Sequence, residues 1–96
     1  MLIERPYNEG DTLSMKLSSG DEIVASYERE CEEKYYLRKP MLLAQTNQGF
    51  GLVPYMFTVN PDKEISIRKS AVISVEPTHQ DMAKDYLTKT TGIQIS

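Results

Sequence analysis

Apolar and polar residues alternate with a period of two through most of the chain, which is the pattern of half-buried β-strands. The clearest example is a pair of runs, residues 12–17 and 22–27, separated by Ser18-Ser19-Gly20-Asp21. Because a tight turn often needs a residue with positive φ, Gly20 suits the connection between them. The sequence therefore predicts a β-hairpin with one buried face and one solvated face.

Three further runs of the same kind predict three more strands. The third strand begins at Lys34 or Tyr35, is interrupted at Lys39-Pro40 and resumes over residues 41–45. Since proline cannot donate a hydrogen bond to a strand ladder, Pro40 indicates a bulge, an edge or a bend. We predict the fourth strand over residues 50–59 and the fifth over residues 65–75, with a bend near residues 68–70.

After the fifth strand, the spacing of the apolar residues changes from the period of a strand to that of a helix. Thr78 is a candidate helix N-cap, and Asp81 stands in the capping-box position. Apolar residues then fall on one side of a helix: Met82, Tyr86 and Leu87. The pattern predicts a short amphipathic helix over about residues 79–90. Five short strands and one helix predict a mostly β fold, with a small, strongly bent antiparallel barrel over about residues 12–77, in a single domain of residues 1–96.

Composition narrows the possible partners. The chain has 11 basic and 14 acidic residues and a net charge of −3, so a nucleic-acid partner requires the basic residues to cluster. The single cysteine, Cys31, fits a reducing compartment. No apolar run approaches membrane-spanning length, and the first residues show no basic region followed by a long apolar segment. We therefore expect no secretory leader, and a cytoplasmic protein with no membrane partner.

Nothing in the sequence has the pattern of a catalytic centre. There is no Ser/His/Asp arrangement, no Gly-rich phosphate loop and no spaced Cys/His set, so we expect neither an enzyme nor a cofactor. Four carboxylates lie close together, at positions 28, 30, 32 and 33. We interpret them as a solvated strand face and turn, because a metal site needs converging ligands and His79 is far away in sequence. His79 itself is interpreted as a surface residue.

Two segments of the chain resemble the two motifs of the Sm-like family, which comprises the Sm, LSm and Hfq proteins. The first is similar to Leu13-x-Met15-x-Leu17-x-x-Gly20-x-x-Ile23-x-Ala25 followed by Cys31-x-x-x-Tyr35-x-Leu37. The second is similar to Ile67-Arg68-Lys69-Ser70-Ala71-Val72 followed by Val75-x-Pro77. The order and spacing of the motifs agree with the barrel prediction, and the chain would be a diverged member, of bacterial or phage origin.

The resemblance implies a five-stranded, SH3-type barrel that assembles into a homo-oligomeric ring, whose number of subunits the sequence does not give. In this family the fourth strand of one subunit pairs with the fifth strand of the next, which here means residues 53–59 against residues 65–69. It also implies that single-stranded RNA binds on the pore side of the ring. The corresponding positions of this chain are Lys34, Tyr35, Arg68, Lys69 and Ser70.

The departures from the family pattern leave a second function open. Cys31 stands where the family commonly has aspartate, and Tyr35 stands where many members have asparagine. Lys69 replaces a glycine, and Ser70 replaces the bacterial histidine. Tyr35 either stacks on a base or belongs to the core. The alternative to RNA binding is therefore a homo-oligomeric ring that is structural or binds other proteins.

Overall fold

The computed structural model describes residues 7–91, which form one antiparallel sheet of six strands and one helix. The strands are β1 Thr12–Leu17, β2 Glu22–Glu30, β3 Lys34–Thr46, β4 Gly49–Pro54, β5 Ile65–Arg68 and β6 Val72–Pro77. A 3-10 turn, Lys69–Ala71, separates β5 from β6, and the helix α1 is Gln80–Thr91. The strand order is β4-β3-β2-β1-β6, and β5 pairs with the first part of β3.

The mostly β fold with an antiparallel sheet and a C-terminal helix is confirmed. The sheet is not closed, and it has six strands rather than five because the 3-10 turn divides the predicted fifth strand. This turn coincides with the bend predicted near residues 68–70. It carries the chain from β5, beside β3, to β6, beside β1. As the end members of the strand order, β4 and β6 each have one edge without a strand partner among residues 7–91.

The predicted hairpin is formed by β1 and β2. Leu13 pairs with Ala25 and Met15 pairs with Ile23, so the alternating apolar residues of both strands lie on the same face. Gly20 has φ +96°, which is the positive value that the turn was expected to need. The main core cluster consists of Leu13, Met15, Leu17, Ile23, Ala25, Tyr27, Leu37 and Ile67.

The predicted interruption of the third strand is a bulge. Val24 pairs with Met41 and Ser26 pairs with Arg38, so two residues of β3, at positions 39 and 40, lie opposite one residue of β2. Lys39 has φ +48°, in the left-handed region that side chains rarely adopt. The strand nevertheless continues past the bulge for a total length of 13 residues.

The helix covers the opposite side of β2. Tyr86, which is 1% exposed, joins Val24 and Leu52 in a second buried cluster, and Met82 packs against it. Leu87 was predicted on the same face, but it is 42% exposed. The predicted Thr78 cap is also wrong: the backbone N–H of Asp81 donates to His79 Nδ1 at 3.2 Å. The Thr78 hydroxyl is instead 2.9 Å from that of Ser14.

The fourth strand is shorter than predicted. It ends at Pro54, which pairs with Met41, and residues 55–59 lie outside the sheet. The reason lies in β3, whose first residues are already paired with β5, from Lys34–Arg68 to Leu37–Ile65. Because β4 and β5 share the same edge of β3, β4 has no partner beyond the bulge.

Candidate nucleic-acid interface

A polar cleft lies where the loop between β2 and β3 meets the 3-10 turn. The pairing of β3 with β5 places Lys34 opposite Arg68, and the backbone N–H of Lys69 donates to the Glu33 carbonyl at 2.8 Å. These contacts bring together two segments that are more than thirty positions apart in sequence. The cleft has a volume of about 540 Å³ and is lined by Glu32, Glu33, Lys34, Arg68, Lys69 and Ser70.

Four of the five residues predicted as RNA contacts line this cleft, and the fifth, Tyr35, lies beside it. The Tyr35 ring is partly buried and packs against the main core. Its centroid is 5.0 Å from the Nζ atom of Lys69, within the range of a cation–π interaction. Tyr35 therefore combines a core contact with a contact to the cleft.

The three cationic side chains of the cleft differ in their partners. Lys69 Nζ forms a hydrogen-bonded ion pair with Glu30. The hydrogen bond to Glu30 is the main reason why the pKa of Lys69 is raised. Lys34 and Arg68 form no ion pair with any residue in the described range 7–91. Arg68 is exposed and Lys34 is half-buried. These two side chains are therefore the cations best placed to meet an anionic ligand.

Glu30 is a residue that the sequence analysis did not assign to the site. It was interpreted as part of a solvated strand face, but its side chain is only 18% exposed. Its Oε1 atom accepts a hydrogen bond of 2.9 Å from the Tyr27 hydroxyl, while its Oε2 atom meets Lys69. Glu28, on the same strand, forms an ion pair with Arg38. The carboxylates of Glu28 and Glu30 on β2 are thus both in ion pairs, whereas Glu32 and Glu33 in the loop are exposed.

Cys31 lies at the start of the same loop. It is exposed, and a backbone hydrogen bond from Glu33 is the main cause of its lowered pKa. Its Sγ atom is 3.9 Å from the hydroxyl of Tyr36, whose ring lies 3.7 Å from the guanidinium carbon of Arg29. Arg29 also pairs with Glu64 at 2.9 Å. The ring of Tyr36 is therefore already in contact with a cationic side chain of the same chain, that of Arg29.

A second, apolar groove lies between the bulge of β3, the loop before β5 and the end of α1. It has a volume of about 190 Å³, and its apolar lining includes Met41, Pro54, Met56, Val59 and Ile65. The sequence analysis did not predict it, because its sides come from four separate segments. It shares no lining residue with the polar cleft.

The described part of the chain contains no group of three or more His, Cys, Asp or Glu side chains placed to hold a metal ion. Between residues 7 and 91, no helix has the length and apolar character needed to span a membrane. No protein-family model matches the chain, and no curated protein matches it significantly. The geometry of the cleft is therefore the main basis for a functional proposal.

Proposed function

We propose that this protein is a diverged member of the Sm-like family that forms a homo-oligomeric ring and binds single-stranded RNA in the polar cleft. The observation that carries the proposal is the Lys34–Arg68 pairing, which joins the two motif segments in one cleft. The motifs were recognised separately in sequence, and in the fold they are neighbours. In this proposal the six-stranded sheet corresponds to the bent barrel of the family, with β5 and β6 as its divided fifth strand.

The side chains of the cleft supply the contacts that a single strand needs. Arg68 and Lys34 can neutralise phosphates, and the Ser70 hydroxyl can donate or accept a hydrogen bond. A base stacked on Tyr35 would contribute ~1–3 kcal/mol. A ring repeats these contacts in every subunit, which compensates for the small number of cations in each cleft.

The ring itself is proposed to form through the sheet edges of β4 and β6. Each edge carries an exposed apolar side chain: Phe50 on β4 is 70% exposed and Ile73 on β6 is 66% exposed. An open, apolar strand edge favours pairing with another chain, and burial of such side chains stabilises the contact. This contact replaces the one expected between residues 53–59 and 65–69, because residues 55–59 lie outside the sheet.

A ring that binds other proteins is the second candidate. Two observations favour it: Glu32 and Glu33 line the cleft, and the loop after β4 exposes Phe57 at 76% and Met56 at 42%. Carboxylates oppose phosphate binding, and exposed apolar side chains are typical of protein contacts. Under this candidate the ring forms in the same way, but the cleft has no RNA ligand.

Fluorescence anisotropy with short, labelled U-rich and A-rich RNAs tests the proposal. We expect binding at low salt that weakens as salt rises, and Arg68→Gln should reduce the slope of log K against log salt by ~1. Lys16→Gln is the matched control, because Lys16 is an exposed cation of β1 outside the cleft. An absence of binding at low salt, or equal losses from Arg68→Gln and Lys16→Gln, would rule out this RNA site.

A further inference from the structure

Lys69 is held in place from three directions. Its backbone N–H is bonded to the Glu33 carbonyl at 2.8 Å, its ammonium group is paired with Glu30, and the same Nζ atom lies 5.0 Å from the centroid of the Tyr35 ring. The Lys69 side chain lines the cleft and is 31% exposed, so a ligand in the cleft can reach it.

Glu30 is held as firmly as its partner. The Tyr27 hydroxyl donates to Glu30 Oε1 at 2.9 Å, and Tyr27 is itself 2% exposed and part of the main core. The Tyr27 ring also lies 5.8 Å from the ring of Tyr7. The carboxylate is thus anchored to the rigid part of the fold, and it determines where the ammonium group of Lys69 lies.

We propose that Glu30 regulates RNA binding in the cleft by holding the ammonium group of Lys69 over the ring of Tyr35. With this ion pair in place, Glu30 competes with a phosphate for the ammonium group of Lys69, and the adjacent face of Tyr35 is covered. A bound strand must displace Lys69 from Glu30 before it can contact both groups. This inference rests on the proposed function, because it concerns the regulation of the same site.

The test compares two variants that each remove one negative charge from the region of the cleft. Glu30→Gln keeps an acceptor for the Tyr27 hydroxyl but releases Lys69, and we expect it to bind U-rich RNA about fivefold more tightly, near the upper limit for an ion pair of this exposure. Glu32→Gln is the matched control, because Glu32 lines the cleft but forms no ion pair within residues 7–91. We expect its gain to be about twofold or less, since exposed charges are screened.

Two further measurements separate the ion pair from a general effect of charge. In a Lys69→Gln background, Glu30→Gln should give no additional gain in RNA affinity, because the ammonium group that Glu30 holds is already absent. This comparison is a double-mutant cycle, which isolates the direct interaction between the two side chains. Tyr27→Phe loosens the anchor of Glu30 without changing any charge, and a smaller gain in affinity is expected from it. It also provides an independent variant if Glu30→Gln does not fold.

A measurement without RNA distinguishes failure of the inference from failure of the proposed function. The pKa of Lys69, followed by NMR on reductively methylated protein, should fall in Glu30→Gln but not in Glu32→Gln. If the pKa falls and RNA binds equally to both variants, the regulatory inference is wrong and the RNA site stands. If the pKa falls but no variant binds RNA, the proposed function is wrong and the inference falls with it. If the pKa does not change, the ion pair is absent in solution and the inference is overturned.

Discussion

The hydroxyl of Tyr86 connects the helix to the bulge of β3, and its removal gives a sharp test of the fold. It donates to the carbonyls of Arg38 and Lys39, at 3.0 and 2.9 Å. These carbonyls flank the point where Lys39 takes its positive φ of 48°. A non-glycine residue in that region costs ~1 kcal/mol or more and persists only when its surroundings hold it there.

We expect Tyr86→Phe to destabilise the protein by ~1–3 kcal/mol. The phenyl ring keeps the packing of a side chain that is 1% exposed, so the loss comes from the hydrogen bond and from the carbonyls left without it. For a domain of this size the melting temperature should fall by ~4–8 °C for each kcal/mol.

Urea unfolding followed by circular dichroism measures the effect, and the m-value should not change. Tyr55→Phe is the control, because Tyr55 is a partly buried tyrosine that packs against the main core but its hydroxyl makes no hydrogen bond within the described residues. Its effect should stay within ~0.5 kcal/mol. Equal stabilities of Tyr86→Phe and the wild type would refute the claim that this hydroxyl supports the bulge.

Two further predictions concern alkaline pH and assembly. Burial raises the pKa of Tyr86 from 10.0 to about 12, so the folded state keeps the phenol neutral; its contribution to stability is complete below pH 10 and is lost as the pH rises toward 12. Urea midpoints measured against pH should therefore fall less steeply in Tyr86→Phe than in the wild type, and parallel curves would contradict this assignment. Light scattering at micromolar concentration should show a ring that Ile73→Lys dissociates, whereas a monomeric wild type would exclude the ring.

The hairpin and the position of the bend could be predicted because their causes are local. Alternation fixed which residues of β1 and β2 are buried, and Gly20 marked the turn. For the hairpin and the bend, a few neighbouring residues were sufficient to determine the structure. The predicted site residues were chosen from the family resemblance instead, and they lie close together because β3 pairs with the distant β5, with Lys34 opposite Arg68.

Features that depend on competition between distant segments could not be predicted. The fourth strand was extended to Val59 because Tyr55, Phe57 and Val59 continue the alternation, but β5 occupies the edge of β3 that it would need. The role of Glu30 depends on Lys69, 39 positions later, and on the hydroxyl of Tyr27. A carboxylate on a strand has the same local pattern whether it meets water or a lysine.

The mixture of charges in the polar cleft has a consequence for the rate of association. Its three cationic side chains stand beside three carboxylates, those of Glu30, Glu32 and Glu33. A surface whose charges are balanced creates little long-range potential, so a polyanion is not drawn toward it and encounters occur at the ordinary diffusional frequency. Such a protein would leave bulk nucleic acid largely unbound and would retain only those strands whose bases and phosphates fit the cleft after contact.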